Sequence, residues 1–150
     1  MKIIYILPFF LLLIGCGMTR TLNYPYPEVA KVLKDKFTRQ DDAFKPNKSL
    51  ILDTEKKMEI LYDEKFDFYY ALVADMTLEE KDSKSSQISL KITENFKSWS
   101  YKSRNKQLEK KFLAVLEKRL KTGKWDELPW MKKENRSSSI FSAMFTNVGE

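Results

Sequence analysis

Residues 66–77 constrain the fold more than any other stretch. Phe66, Phe68, Tyr70, Leu72, Ala74 and Met76 alternate there with Asp67, Tyr69, Ala71, Val73, Asp75 and Thr77. A period of two puts the first set on one face of a strand and the second set on the other. An apolar row of that length must be buried, so the chain needs a layer to cover one face of a sheet. Three shorter strands are predicted around it. Residues 49–53 and 58–62 flank a turn at 53–56, and Asp63-Glu64-Lys65 turns the chain into the long strand. Residues 79–86 form a charged, serine-rich connection, after which Ile88, Leu90 and Ile92 alternate with Ser89, Lys91 and Thr93. Consecutive strands with short connections predict an antiparallel meander.

Two amphipathic helices supply the covering layer. In the first, Pro27 suits the opening turn, Glu28 complements the helix dipole, and Val29, Val32, Leu33 and Phe37 recur at helical spacing. In the second, Ser100 or Ser103 is the expected cap, and Leu108, Phe112, Val115, Leu116 and Leu120 form the stripe. Gly123 stands where a left-handed C-terminal cap belongs. The expected fold class is therefore α+β: helix, four-stranded antiparallel meander, helix, with both helices packed on one face of the sheet. The other face carries Tyr69, Ala71 and Val73, which is less polar than a solvated face should be. It is a candidate partner or lipid surface, together with the apolar positions Phe141 and Phe145 near the C-terminus. Trp125 and Trp130 are expected to pack on the domain, with residues 131–150 as a loosely ordered tail.

The 27 basic and 21 acidic residues are unevenly spread. Residues 97–136 carry 13 basic side chains against 5 acidic ones, a net of +8, whereas residues 16–96 carry 13 against 15, a net of −2. The basic surplus falls on the second helix, where Lys110, Lys111, Lys118 and Arg119 are candidates for contact with an anionic surface. No nucleic-acid motif accompanies them.

There is no histidine and only one cysteine. Ser-His-Asp and Cys-His catalysis are therefore excluded within this chain, as are histidine-based zinc sites and any intramolecular disulfide. The four glycines are Gly15, Gly17, Gly123 and Gly149, too few and too scattered for a phosphate-binding loop. A paired-carboxylate hydrolase remains open. Asp67 with Asp75, Asp41-Asp42 and Glu79-Glu80 are the pairs on offer, and each reads more simply as solvated turn or edge charge. No catalytic residue, metal site or cofactor is expected.

The single cysteine has a telling position. Lys2 is followed by an apolar run from Ile3 to Ile14, and Leu13-Ile14-Gly15-Cys16 closes it. A charged start, an apolar core and a small-residue cleavage point make the layout of an export signal. The competing reading is a short membrane segment, but the uncharged stretch spans only about 24 Å against a bilayer core of about 30 Å. The four-residue run resembles the lipobox of bacterial lipoproteins. That resemblance implies cleavage between Gly15 and Cys16 and diacylglyceryl attachment to the Cys16 sulfur, with the new amino end often acylated as well. Two acyl chains suffice for a stable anchor. Gly17, where an aspartate would favour inner-membrane retention in enterobacterial families, leans toward the outer membrane in a Gram-negative host.

The expected organisation is a signal peptide at residues 1–15, a tether at 16–24, a single domain at 25–130 and the tail at 131–150. The tether reaches about 30 Å at most. The expected function is that of a membrane-anchored envelope lipoprotein, non-enzymatic, acting as a binding or assembly accessory close to the membrane. Its partners would be the membrane itself and an envelope protein. The alternative is a small-ligand or lipid-binding module lined by Phe66, Phe68, Tyr69 and Tyr70.

Overall fold

A computed structural model describes residues 17–38, 48–66, 70–96, 101–132 and 135. The chain runs β1 (Met18–Leu22), α1 (Tyr26–Phe37), β2 (Lys48–Asp53), β3 (Lys57–Lys65), β4 (Tyr70–Asp82), β5 (Ser85–Phe96), β6 (Tyr101–Arg104) and α2 (Lys106–Thr122). All six strands join one antiparallel sheet in the order β1-β5-β4-β3-β2, and β6 also pairs with β5.

This corrects the expected helix, four-stranded meander, helix. Among the described residues the sheet has six strands and dominates the fold, and it starts before the first helix. β1 lies inside the stretch expected to be a tether. β1 and β6 share one edge of β5: residues 18–22 pair with 90–86, and residues 101–104 pair with 96–93. The central strands are also longer than their apolar alternation. Glu79, Glu80 and Asp82 stay in the ladder with β5, so the expected charged connection shrinks to a tight turn at 83–84. Asp82 holds that turn, accepting from the Lys84 amide at 2.8 Å and the Ser85 hydroxyl at 2.6 Å.

Strand phase sets which face is covered. Met58, Ile60 and Tyr62 on β3, Leu72, Ala74, Met76 and Leu78 on β4, and Ile88, Leu90 and Ile92 on β5 are all buried. The register makes Ile60, Met76 and Leu90 neighbours across three strands. α1 buries Val29, Ala30, Leu33 and Phe37 against this inner face, and α2 buries Leu108, Phe112, Leu113 and Leu116. The helices meet where Phe37 lies 6.0 Å from Phe112. Gly123 caps α2 with φ 74°, and its amide bonds the Arg119 carbonyl. The N-cap is Asn105, not Ser100 or Ser103: its side chain accepts from the Leu108 amide at 3.0 Å.

Gly17 explains itself at the start of β1. A Cβ there would sit 2.5 Å from the Leu90 carbonyl oxygen and 2.7 Å from its carbon. Both are backbone atoms that cannot swing aside, so only glycine lets the chain lie this close to β5.

α1 is tied to the far edge of the sheet through Asp53. Its carboxylate accepts from the Tyr26 hydroxyl at 2.7 Å and pairs with Lys34. The Lys34 hydrogen bond, then that from Tyr26, holds the Asp53 carboxyl below its usual range. A depressed folded-state value means stability that is present above the unfolded value and lost as pH falls through the folded one. Asp53→Asn is expected to weaken the fold at neutral pH and to flatten the acid limb of a stability-pH curve below about pH 4. Urea midpoints measured across that range check this. Parallel acid limbs for the two proteins would contradict it.

Candidate functional site

The exposed side of α2 carries Lys106, Lys110, Lys111, Lys118 and Lys121, since the other side faces the core. Two of the lysines named from sequence are tethered. Lys118 reaches Asp126 at 2.7 Å, and Lys111 donates to Asn135. Lys110 is exposed, and Arg119 is half-buried with an Nε that has no hydrogen-bond partner among the described residues. Residues 124–132 turn back along the helix and leave an open cleft of about 680 Å³ beside it. Ala114, Val115 and Pro129 form its apolar floor, while Lys111 and Lys132 oppose Asp126 and Glu127 on the rim. The rim thus carries charge of both signs.

Trp130 fixes the returning segment. It is fully buried, stacks on Phe112 at 5.3 Å and lies 6.0 Å from Tyr62. Its indole N–H donates to Glu64 Oε2 at 3.0 Å. Trp125 packs closer to α1, with the Lys36 ammonium 5.5 Å from its ring centre.

Sequence reasoning missed three buried carboxylates on the inner face. Glu64 on β3 accepts from the Tyr62 hydroxyl at 2.5 Å as well as from Trp130. Glu94 on β5 accepts from the Tyr70 hydroxyl at 2.5 Å and from Asn105 Nδ2 at 3.1 Å. Glu109 on α2 accepts from the Ile92 amide at 3.0 Å and takes Arg104 in a two-pronged pair at 2.7 and 2.8 Å. The signal was present in the phase: Glu64 continues the inward row of Met58, Ile60 and Tyr62, and Glu94 continues Ile88, Leu90 and Ile92. Leu72 lies between the first two across the sheet, so they stand two strand spacings apart, about 10 Å. Each is occupied by hydrogen-bond donors from the core. Among the described residues no group of three acidic, cysteine or histidine side chains could hold a metal.

The outer face is polar over its centre, with Glu59, Asp75, Thr77, Gln87, Ser89 and Lys91 on it. Val73 is half-buried there, between Asp63 and Thr93. The apolar part lies instead at the free edge. Leu50 and Leu52 on β2 are each 56% exposed, and Leu61, the cross-strand partner of Leu50, is 46% exposed. A strand edge with no further strand beside it among the described residues, next to exposed leucines, is a template for another chain.

Of the aromatic set named as a ligand surface, Tyr70 is buried and Phe66 is half-buried, 5.4 Å from Tyr70. Phe68 and Tyr69 lie outside the described residues, as do Gly15, Cys16, Asp67, Phe141 and Phe145. Among the described residues no helix is long and apolar enough to cross a membrane. No protein-family model matches the chain, and no curated protein is found to be similar to it.

Proposed function

We propose that the protein is a lipid-anchored component of a bacterial cell envelope that binds a partner at the membrane surface rather than catalysing a reaction. The observation that carries this reading is the close packing of Gly17 on Leu90. The described sheet starts at Met18, two residues after Cys16, so an acyl anchor on that sulfur would be joined to a sheet edge through Gly17 alone. The domain would then work within its own width of the bilayer. The exposed leucines on β2 support a binding role. That strand lies four strand spacings, about 19 Å, from β1 and so faces away from the anchored edge. The buried glutamates, bonded to Tyr62, Trp130, Tyr70, Asn105 and Arg104, read as parts of the core.

The anchor is tested by expressing the full chain and Cys16→Ala in a bacterial host. The unaltered chain is expected to partition wholly into the detergent phase, with a Cys16 peptide bearing diacylglycerol. Cys16→Ala is expected to lose that mass and to remain unprocessed. A variant that is cleaved and membrane-bound like the parent would contradict the reading.

A further inference from the structure

We infer that the sheet edge where β1 meets β6, together with the first turns of α2, forms a cationic platform that lies on anionic lipid headgroups. This rests on the anchor reading and adds an orientation to it. Three observations support it.

The first is where the chain enters the domain. Gly17 lies on the backbone of Leu90, and the Asn105 amide bonds the Ile92 carbonyl at 2.9 Å. The entry point is thus wedged between β1, β6 and the start of α2. The second is the charge around it. Lys106 and Lys110 project from α2, and Lys102 sits on β6 opposite Asn95. All three are exposed, and none has an acidic partner among the described residues. Nearby acids are otherwise engaged: Glu109 is held by Arg104 and Glu94 by Tyr70 and Asn105. Lys91 adjoins the entry point too, but Asp75 stands across from it and offsets its charge.

The third is a local choice that works against the fold. Lys106 is the first residue of α2, where the positive end of the helix dipole disfavours a cation. Glu28 in the first turn of α1 and Glu109 in that of α2 show the ordinary choice. A residue that opposes its own helix without an internal partner is expected to serve an external one. Anionic headgroups fit, because the helix N-terminus and the lysines attract them together.

The test uses full-length lipidated protein reconstituted in phosphatidylcholine vesicles with and without phosphatidylglycerol. Amine acylation is followed at each lysine by peptide mass. An anionic surface favours the ammonium over the reactive free amine and also shields it. Lys102, Lys106 and Lys110 are expected to react about fivefold more slowly on the anionic vesicles, an effect that added salt removes. Lys56 is the internal control. It is 78% exposed and level with Glu80. That places it roughly 24 Å from the entry point, well beyond a screening length of about 8 Å. Equal rates at the three lysines on both vesicles would overturn the platform, as would equal slowing at Lys56. Protein that fails to float with vesicles, or whose Cys16 peptide lacks diacylglycerol, overturns the anchor and the platform with it. Diacylated, floating protein with unchanged lysine rates overturns the platform alone.

Discussion

Trp130→Ala is expected to destabilise the domain by about 3–5 kcal/mol, the range for truncating a large buried aromatic side chain. The indole is fully buried between Phe112 of α2 and Tyr62 of β3, so its removal opens a cavity between the helix layer and the sheet. It also takes a donor from Glu64, a buried carboxylate whose other described donor is the Tyr62 hydroxyl. Against a total stability of about 5–15 kcal/mol, the loss would leave the fold marginal. The melting temperature is expected to fall by on the order of 10–20 °C. Trp130→Phe separates the two contributions. It keeps most of the stack and loses only the indole N–H, so a smaller loss of about 1–3 kcal/mol is expected. Urea unfolding of the three proteins gives both numbers. A Trp130→Ala midpoint equal to that of the parent would mean that the 124–132 segment does not close the core.

How much of this was legible in the sequence depends on the range of the determining contacts. The inward row of β4 was readable because alternation is a property of neighbours along the chain. The C-cap of α2 was readable because only glycine takes φ 74° without strain. β1 was not. Met18, Arg20 and Leu22 do alternate with Thr19 and Thr21, but five residues carry little apolar weight. Their strand state comes from pairing with residues 86–90, some seventy positions away. β6 has four residues and no apolar alternation, and only its ladder with β5 defines it. The cap at Asn105 moved for the same reason. β6 runs through Ser103, so the helix starts later than local propensity suggests.

The site divides along the same line. The lysines of α2 were named from composition and helical phase, and they are exposed as that phase requires. Which of them stay unpaired could not be read. Lys118 meets Asp126 only because Trp130 draws the returning chain back along the helix. The leucines of β2 looked like half of an ordinary strand. Their exposure follows from β2 being last in the sheet, which no local pattern reports.

Glu109→Ala is expected to cost about 2–4 kcal/mol, and the geometry says where the loss falls. Glu109 is fully buried in the first turn of α2, where its charge suits the dipole. One carboxylate ties three elements: the Ile92 amide of β5, the guanidinium of Arg104 at the end of β6, and its own helix. Removing it leaves a buried amide without its acceptor and takes the two-pronged carboxylate from Arg104. Arg104 is 30% exposed and can recover some hydration, which holds the loss below that for a wholly buried pair. A double-mutant cycle with Arg104→Ala is expected to give a coupling of about 1–3 kcal/mol, and an additive result would deny the pair any role. The more telling readout is local. Amide exchange should quicken first in β6 and the opening turn of α2, the wall against which the chain enters from Cys16. If that wall loosens, Lys102 and Lys106 lose their fixed positions around the entry point. Glu109→Ala should then also blunt the difference in lysine reactivity between anionic and neutral vesicles. Glu109→Gln keeps the acceptor for Ile92 and one bond to Arg104, and should preserve most of that difference.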